Sequence, residues 1–391
     1  MELDELKNLV RAGEFGAITL DTSIFDAQGL KLESGLLKKL EQFQDGSTRL
    51  ILSEIVKEET LSHLIEKARN AQKEIEKSLK QAKEHWCVED QNIEKIKEIV
   101  FGGREAQEVV FERFNKFAEM TSLEIVEAQN HVMVGDLIQK YFKARPPFSE
   151  TGKKKNEFPD AIALMSLETW ANKNQTKIIV VTSDNDWKSF CAGSERLIAI
   201  DDFAGALGLF QRQNADDICK YLSEKYEKGE LENVKEAISN ALEYQLSDFE
   251  IYPEVSSSYM YEQDLTEVTL NGFEFKLFEP PNLIFRPVNF DDDSLVVESK
   301  LSVDVNIECS FSFSIYDSID KDEVPFGSGS ANVQTNLDVD ILISFVGNFV
   351  GSLDEIGSEI EVDDVEIEVK KLDAVDFGEI EPDWMGEDYD Y

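Results

Sequence analysis

From Val303 onward, apolar residues fall at every second position of this chain. Val303, Val305, Ile307, Cys309, Phe311, Phe313 and Ile315 alternate strictly with other residues. So do Val333, Leu337, Val339, Ile341, Ile343 and Phe345, and later Val365, Ile367 and Val369. A period of two held over such lengths suits long antiparallel strands with one buried and one wet face, and it does not suit a helix. Turn chemistry at Asn271-Gly272, Asp291–Ser294 and Gly327–Ser330 divides the runs. Residues 246–375 are therefore expected to form an all-β sandwich or open barrel. An acidic tail without fixed structure is expected over 376–391.

The first two hundred residues follow another pattern. Short apolar runs occur at Ala17–Leu20, Arg49–Leu52, Ser122–Val126, Lys177–Thr182 and Leu197–Ile200, each reading as a buried strand of a parallel sheet. Helical segments lie between them. The longest covers roughly Glu54–Trp86 and is charged on most faces, with a narrow apolar stripe at Ile65, Ala68, Ala71, Ile75 and Leu79. Such a helix is expected to project from the sheet as an arm packed on a partner helix. Further helices are expected over Arg104–Met120 and His131–Lys143. The alternation predicts a three-layer α/β domain with a parallel sheet over 1–210, carrying a helical insertion at about 60–122. Helical segments at Ala215–Glu227 and Leu231–Tyr244 predict a connector over 211–245, ahead of the mostly antiparallel β-domain.

Charge separates the same two halves. The 391 residues carry 80 acids and 39 bases, a net charge of −41. Residues 1–240 hold 43 acids and 33 bases, whereas 241–391 hold 37 acids and only 6 bases. A charge of this sign excludes a protein that coats nucleic acid electrostatically, but not one that acts on it at a local site. Cys87, Cys191, Cys219 and Cys309 are far apart, and there are three histidines, His63, His85 and His131. This set argues against a zinc site. The N-terminus lacks the basic and apolar stretches of a secretion signal. The apolar run Ile341–Val350 is too short to cross a bilayer. A reducing, cytoplasmic setting without membrane attachment is expected.

Four acids fall where strands end, the position at which open α/β sheets build their sites. Asp21 closes the first run, Glu59 lies on the first turns of the helix after the second, Asp160 follows Pro159 at a helix start, and Asp184 follows the run KIIVVT. Taken singly, each also reads as a helix cap, a turn former or a solvated acid. As a set of oxygen donors without His or Cys they suit Mg²⁺ or Mn²⁺, which can activate water and clamp a phosphoryl group.

These residues resemble PIN-domain nucleases. The pattern is a strand ending in Asp21-Thr22-Ser23, a strand followed by Ser53, Val56 and Glu59, then Asp160-Ala161 opening a helix, and a strand followed by Thr182, Asp184 and Asp186. The stretch RPPFSETGKKKNEFPDAIAL followed by VVTSDNDW is similar to a bacterial PIN-like subgroup with a K-K-x-E-F-P-D-A motif and a long helical insertion. The resemblance covers roughly residues 16–205. It implies a small parallel sheet and a metal-dependent nuclease that cuts single-stranded or structured RNA. Asp21, Glu59, Asp160 and Asp184 match the acidic positions, and Glu157 and Asp186 stand beside them. The family spacing selects Glu59 over its neighbour Glu58. A role in host defence or as a growth-arresting toxin fits such a nuclease. The alternatives are a DNA-directed nuclease and a non-catalytic partner-binding or regulatory module.

In so acidic a chain, Arg145 and Lys153, Lys154 and Lys155 form a basic loop leading into Asp160, expected to hold the substrate backbone. Thr182 and His63, one helical turn beyond Glu59, are further substrate-contact candidates, with Lys188 and Arg104 weaker ones. Trp187 reads as a packing aromatic. The β-domain shows no catalytic constellation and no calcium loop. It is expected to be a solubilising, oligomerising or partner-docking module.

Overall fold

A computed structural model describes residues 3–44, 46–148, 157–247, 251–278, 282–317, 319, 321–350, 353, 360–369 and 375–383. The chain divides into two compact units, Met1–Phe210 and Gln211–Tyr391.

The first unit is built on five parallel strands: β1 (Phe15–Leu20), β2 (Arg49–Ser53), β3 (Glu124–Val126), β4 (Lys177–Val181) and β5 (Leu197–Ile200), in the order β3-β2-β1-β4-β5. Ile18, Leu20, Leu50 to Leu52 and Ile178 to Val181 are buried, as near-continuous apolar runs in a parallel sheet require. The flanking helices are α1 (Leu3–Arg11), α2 (Thr22–Ala27), α3 (Gly35–Lys38), α4 (Glu54–His85), α5 (Asp90–Phe101), α6 (Ala106–Met120), α7 (Val134–Phe142), α8 (Phe158–Asn174), α9 (Asn185–Ala192) and α10 (Phe203–Gly208). α8 is walled in: Ala161, Ala163, Leu164, Leu167 and Ala171 are all fully buried. Its alanines let neighbouring elements approach closely. Strand order reverses beside β1, because the chain builds outward to β3 and then returns to place β4 on the other side. A crevice opens at such a switch point, at the carboxyl ends of the strands.

α4 is the expected arm. Ser53 accepts a hydrogen bond from the Val56 amide (3.2 Å) and fixes where the helix begins. Its buried residues, Val56, Thr60, Leu61 and Leu64, all lie in its first eleven positions. α6 packs along it through Val110, Phe114 and Phe117, with Phe117 edge-on to Phe25.

The second unit contains α11 (Gln213–Glu227), α12 (Glu232–Ser247) and the strands β6 (Pro253–Ser256), β7 (Met260–Lys276), β8 (Arg286–Phe290), β9 (Ser294–Asp317), β10 (Asp322–Val346), β11 (Glu361–Val369) and β12 (Val375–Glu379). One antiparallel sheet runs β11-β10-β9-β7, with β8 on β9, and β12 pairs parallel to β6 in a separate two-stranded sheet. This is neither the sandwich nor the barrel expected from the alternation. The apolar face of the sheet, from Val303 to Phe313 on β9 and Leu337 to Phe345 on β10, shares a core with Ile218, Leu222, Val234, Ile238 and Leu242. The segments expected as a connector are therefore the cover of that face. Periodicity along a strand cannot tell whether a second sheet or a helix pair supplies the opposing surface.

Two expected turns also lie inside strands. Asn271-Gly272 is a bulge in β7, where the register shifts between Leu270 and Gly272. Gly327–Ser330 lies within β10, and a Cβ on Gly329 would stand 2.6 Å from the Glu381 carbonyl oxygen. Glycine there permits close approach of another backbone rather than a reversal. The Asp291–Ser294 turn forms, with Asp291 Oδ1 accepting from the Asp293 and Ser294 amides. The first part of the expected tail is strand β12, and residues 384–391 lie outside the described residues. No helix among the described residues is long and apolar enough to cross a membrane.

Candidate active site

Asp21, Glu59 and Asp184 come after strands as expected, but Asp160 does not, since the element before α8 is the helix α7. Asp21 leaves β1 at the N-cap position of α2, but its side chain makes no cap bond. Instead, its Oδ2 accepts from Ser23 Oγ (2.6 Å) and Thr182 Oγ1 (3.0 Å), while its amide donates to the Val181 carbonyl of β4 (3.0 Å). Asp184 follows β4 and caps α9, its Oδ1 accepting from the amides of Asp186 (2.6 Å) and Trp187 (3.1 Å). Asp160 lies in the first turn of α8, and its Oδ1 accepts from Trp187 Nε1 (2.8 Å). Glu59 is one turn into α4, where its Oε2 accepts from Thr22 Oγ1 (2.7 Å).

The charges of the other three acids are felt at Asp160. Burial is the main cause that pushes the Asp160 carboxyl up to about 6, and the charges of Asp21, Asp184 and Glu59 add to it, against the Trp187 hydrogen bond. Asp21 is also raised, chiefly by burial and further by Asp184, in spite of the Ser23 and Thr182 hydroxyls. Asp186 is raised by partial burial and by the charges of Asp184 and Glu157. Glu157, at the N-terminal boundary of α8, is thus close enough to be felt at Asp186.

Neighbouring Glu58 is exposed and pairs with Lys57 (3.0 Å), so the helix directs Glu59 rather than Glu58 toward the other acids. Among the described residues, no Lys or Arg forms an ion pair with Asp21, Glu59, Asp160 or Asp184. Asp160, Asp184 and Glu59 each have one carboxylate oxygen held by a donor and keep the other. Such an arrangement of hard oxygen donors, mutually repelling and lacking a counter-charge, fits a divalent cation. Among the described residues, no three His, Cys, Asp or Glu side chains are already close enough to hold an ion as they stand. The acids form a looser cluster that a cation would draw together.

The remaining candidates separate. Thr182 is fully buried with its hydroxyl engaged on both sides, donating to Asp21 and accepting from the Asp184 amide (3.0 Å). It is a positioning residue behind the acids rather than a substrate contact. His63 pairs through Nδ1 with Asp26 on α2 (2.9 and 3.0 Å). Lys188 pairs with Asp201 and Arg104 with Glu112 rather than with any of the four acids. Arg145 is exposed, and no bond joins its side chain to the cluster among the described residues. Lys153, Lys154 and Lys155 lie outside the described residues.

The hydroxyls of Thr22, Ser23 and Thr182 and the Trp187 indole were not assigned these roles from sequence, although all belong to the quoted motifs. The D-T-S string and the T-x-D-x-D string each carry their own hydrogen-bonding support. Trp187 packs as expected, but its ring nitrogen also orients Asp160, twenty-seven positions earlier.

Searches of curated proteins and of solved structures gave no match. The family model of the PIN domain matches residues 18–187, the span that holds Asp21, Glu59, Asp160 and Asp184, and supports a PIN-like domain in the N-terminal unit.

Proposed function

We propose that the N-terminal unit is a metal-dependent endonuclease that hydrolyses phosphodiester bonds, with RNA as its preferred substrate. PIN domains are in general nuclease-like. The observation that carries the reading is the grouping of four acids from four elements, with the charges of Asp21, Asp184 and Glu59 all felt at the partly buried Asp160 and no ion-paired base on any of them among the described residues.

In this reading Asp21, Asp160 and Asp184 hold Mg²⁺ or Mn²⁺, with Asp186 and Glu157 as supporting ligands. When bound, such a cation supplies positive charge to the phosphoryl oxygens and acidifies water. Glu59 holds metal or orients the attacking water through the oxygen that Thr22 leaves unspent. Ser23 and Thr182 fix the Asp21 carboxylate, and Trp187 holds that of Asp160, so these two acids keep their orientation while the cluster closes on a cation. The basic segment at Arg145 and Lys153–Lys155 contacts the substrate backbone. The acidic second unit docks a protein partner or a second copy, and the whole acts in the cytoplasm.

The test is incubation of labelled RNA and DNA with Mn²⁺ or Mg²⁺, comparing the wild type with Asp21→Asn and Asp160→Asn. RNA cut by the wild type and spared by both variants is expected. Equal cutting by all three proteins would overturn the assignment. Cutting of DNA alone would overturn the choice of substrate.

A further inference from the structure

Along the seam between α2 and α4 a row of polar contacts continues outward from the Thr22–Glu59 bond, beyond the groups the proposed reaction uses. Both helices start at the carboxyl ends of adjacent parallel strands, so they leave the acids side by side. At the acids, Thr22 Oγ1 donates to Glu59 (2.7 Å). One turn further on, both Asp26 carboxylate oxygens lie against His63 Nδ1 (2.9 and 3.0 Å). Another turn on, Lys67 Nζ donates to the Gly29 carbonyl (2.6 Å). Glu59, His63 and Lys67 stand four residues apart, so the row advances about 6 Å at each step.

Lys31 joins the far end. Gly29 has φ +61°, and a Cβ there would lie 3.7 Å from Lys31 Cε and 3.8 Å from Lys67 Nζ. Two exposed lysines therefore meet over one glycine, and among the described residues neither is ion-paired to a carboxylate. The acids of this stretch are engaged elsewhere: Asp26 by His63, and Glu33 by two nitrogens of Arg113 (2.7 Å each). With Nδ1 spent on Asp26, the His63 ring has Nε2 to offer.

We propose that this row is a track for the substrate backbone, carrying one strand from the acids past His63 to the Lys31–Lys67 pair. It rests on the nuclease reading of the acid cluster. The span from Glu59 to Lys67, about 12 Å along the helix, is within reach of a few nucleotides of one strand. Lysines at the end of such a row hold phosphates and carry no sequence information. The left-handed conformation of Gly29 disfavours any side chain at this position.

The experiment uses the full chain carrying Asp160→Asn, with fluorescein-labelled single-stranded RNAs of increasing length and anisotropy measured across a salt series in Mg²⁺. Each phosphate contact on a single strand contributes about 0.7 to the slope of log affinity against log salt. Adding Lys31→Ala and Lys67→Ala is expected to flatten the slope by about 1.4 and to weaken long RNAs on the order of tenfold at 0.1 M salt. Lys31→Arg with Lys67→Arg restores the slope, and His63→Gln causes a smaller loss. Lys235→Ala on α12 changes neither quantity. If wild type cuts RNA but the double alanine variant keeps its slope, the row is only a helix cap and solvated surface, and the track is overturned. If wild type cuts neither RNA nor DNA, the nuclease reading falls and the track falls with it.

Discussion

Replacing Asp160 with Asn preserves the shape of the side chain and an oxygen for the Trp187 indole, while removing one of four mutually repelling charges. The variant is therefore expected to be more stable than the wild type in metal-free buffer. The Asp160 carboxyl moves from 3.8 to about 6 on folding. At full burial that difference is worth ~3 kcal/mol. The group is only half buried, so solvent screening reduces the figure to ~1–1.5 kcal/mol. For a unit of roughly two hundred residues this corresponds to a rise of ~3–5 °C in Tm. The pH dependence has a definite sign. The folded state holds this proton more tightly than the unfolded chain, so its stabilising effect is complete below about 3.8 and is lost as pH rises through about 6. The gain from Asn is then full at pH 8, about half at pH 5, and fades toward pH 4. Thermal melts in EDTA at pH 8 and pH 5, followed by tryptophan fluorescence, read this directly. Trp86, Trp170 and Trp187, three of the four tryptophans, lie in the N-terminal unit. Mn²⁺ should raise the wild-type Tm more than that of the variant. A variant that melts at or below the wild type at pH 8 in EDTA would refute the cost of holding this charge partly buried beside three other acids.

Glu59→Gln should lower cleavage by about a hundredfold, a cost typical of a group acting on the attacking water, while Glu58→Gln leaves the rate unchanged; initial-rate assays on one RNA decide between them. Thr182→Val should cost ~2 kcal/mol, because it removes a buried hydrogen bond to the Asp21 carboxylate along with the acceptor of the Asp184 amide, and a urea midpoint measures it. Trp187→Phe removes the donor that opposes protonation of Asp160, so the acid limb of the pH–rate profile should move to higher pH. Titration with a thiol reagent should find one fast cysteine, the exposed Cys87. Cys191 is buried, its thiol pushed up to about 12, and should react only on unfolding.

Much of the first unit was legible because its strands are short, apolar and separated by helices, and because Asp21, Glu59 and Asp184 come after strands, whereas Asp160 opens α8 after the helix α7. The same logic could not rank Glu58 against Glu59. Ser53 sets the helix phase that decides between them, and a cap acts through a hydrogen bond rather than through hydrophobic pattern. Thr182 was expected to contact substrate, whereas its buried hydroxyl is consumed by two partners within the protein, which the sequence string alone does not reveal. In the second unit, alternation showed which face of each strand is apolar. It could not show that α11 and α12 cover that face, since a sheet buries equally well against either kind of partner. The glycines were misleading for a related reason. At Gly272 and Gly329 the chain uses the missing side chain for a bulge and for a close backbone approach, both invisible without the neighbouring strand.

The burial of α4 within its first eleven residues has a consequence for local stability. Amides up to Leu64 are locked by the sheet and should exchange with solvent only when the unit unfolds. Those beyond it are held mainly by their own helix and by α5 and α6, and should open in a separate, lower-energy event. The distal arm can therefore fray, be clipped or change length by whole turns while the base of the helix keeps Glu59 in place. Reach and chemistry are two properties of one continuous helix, and they are free to vary independently.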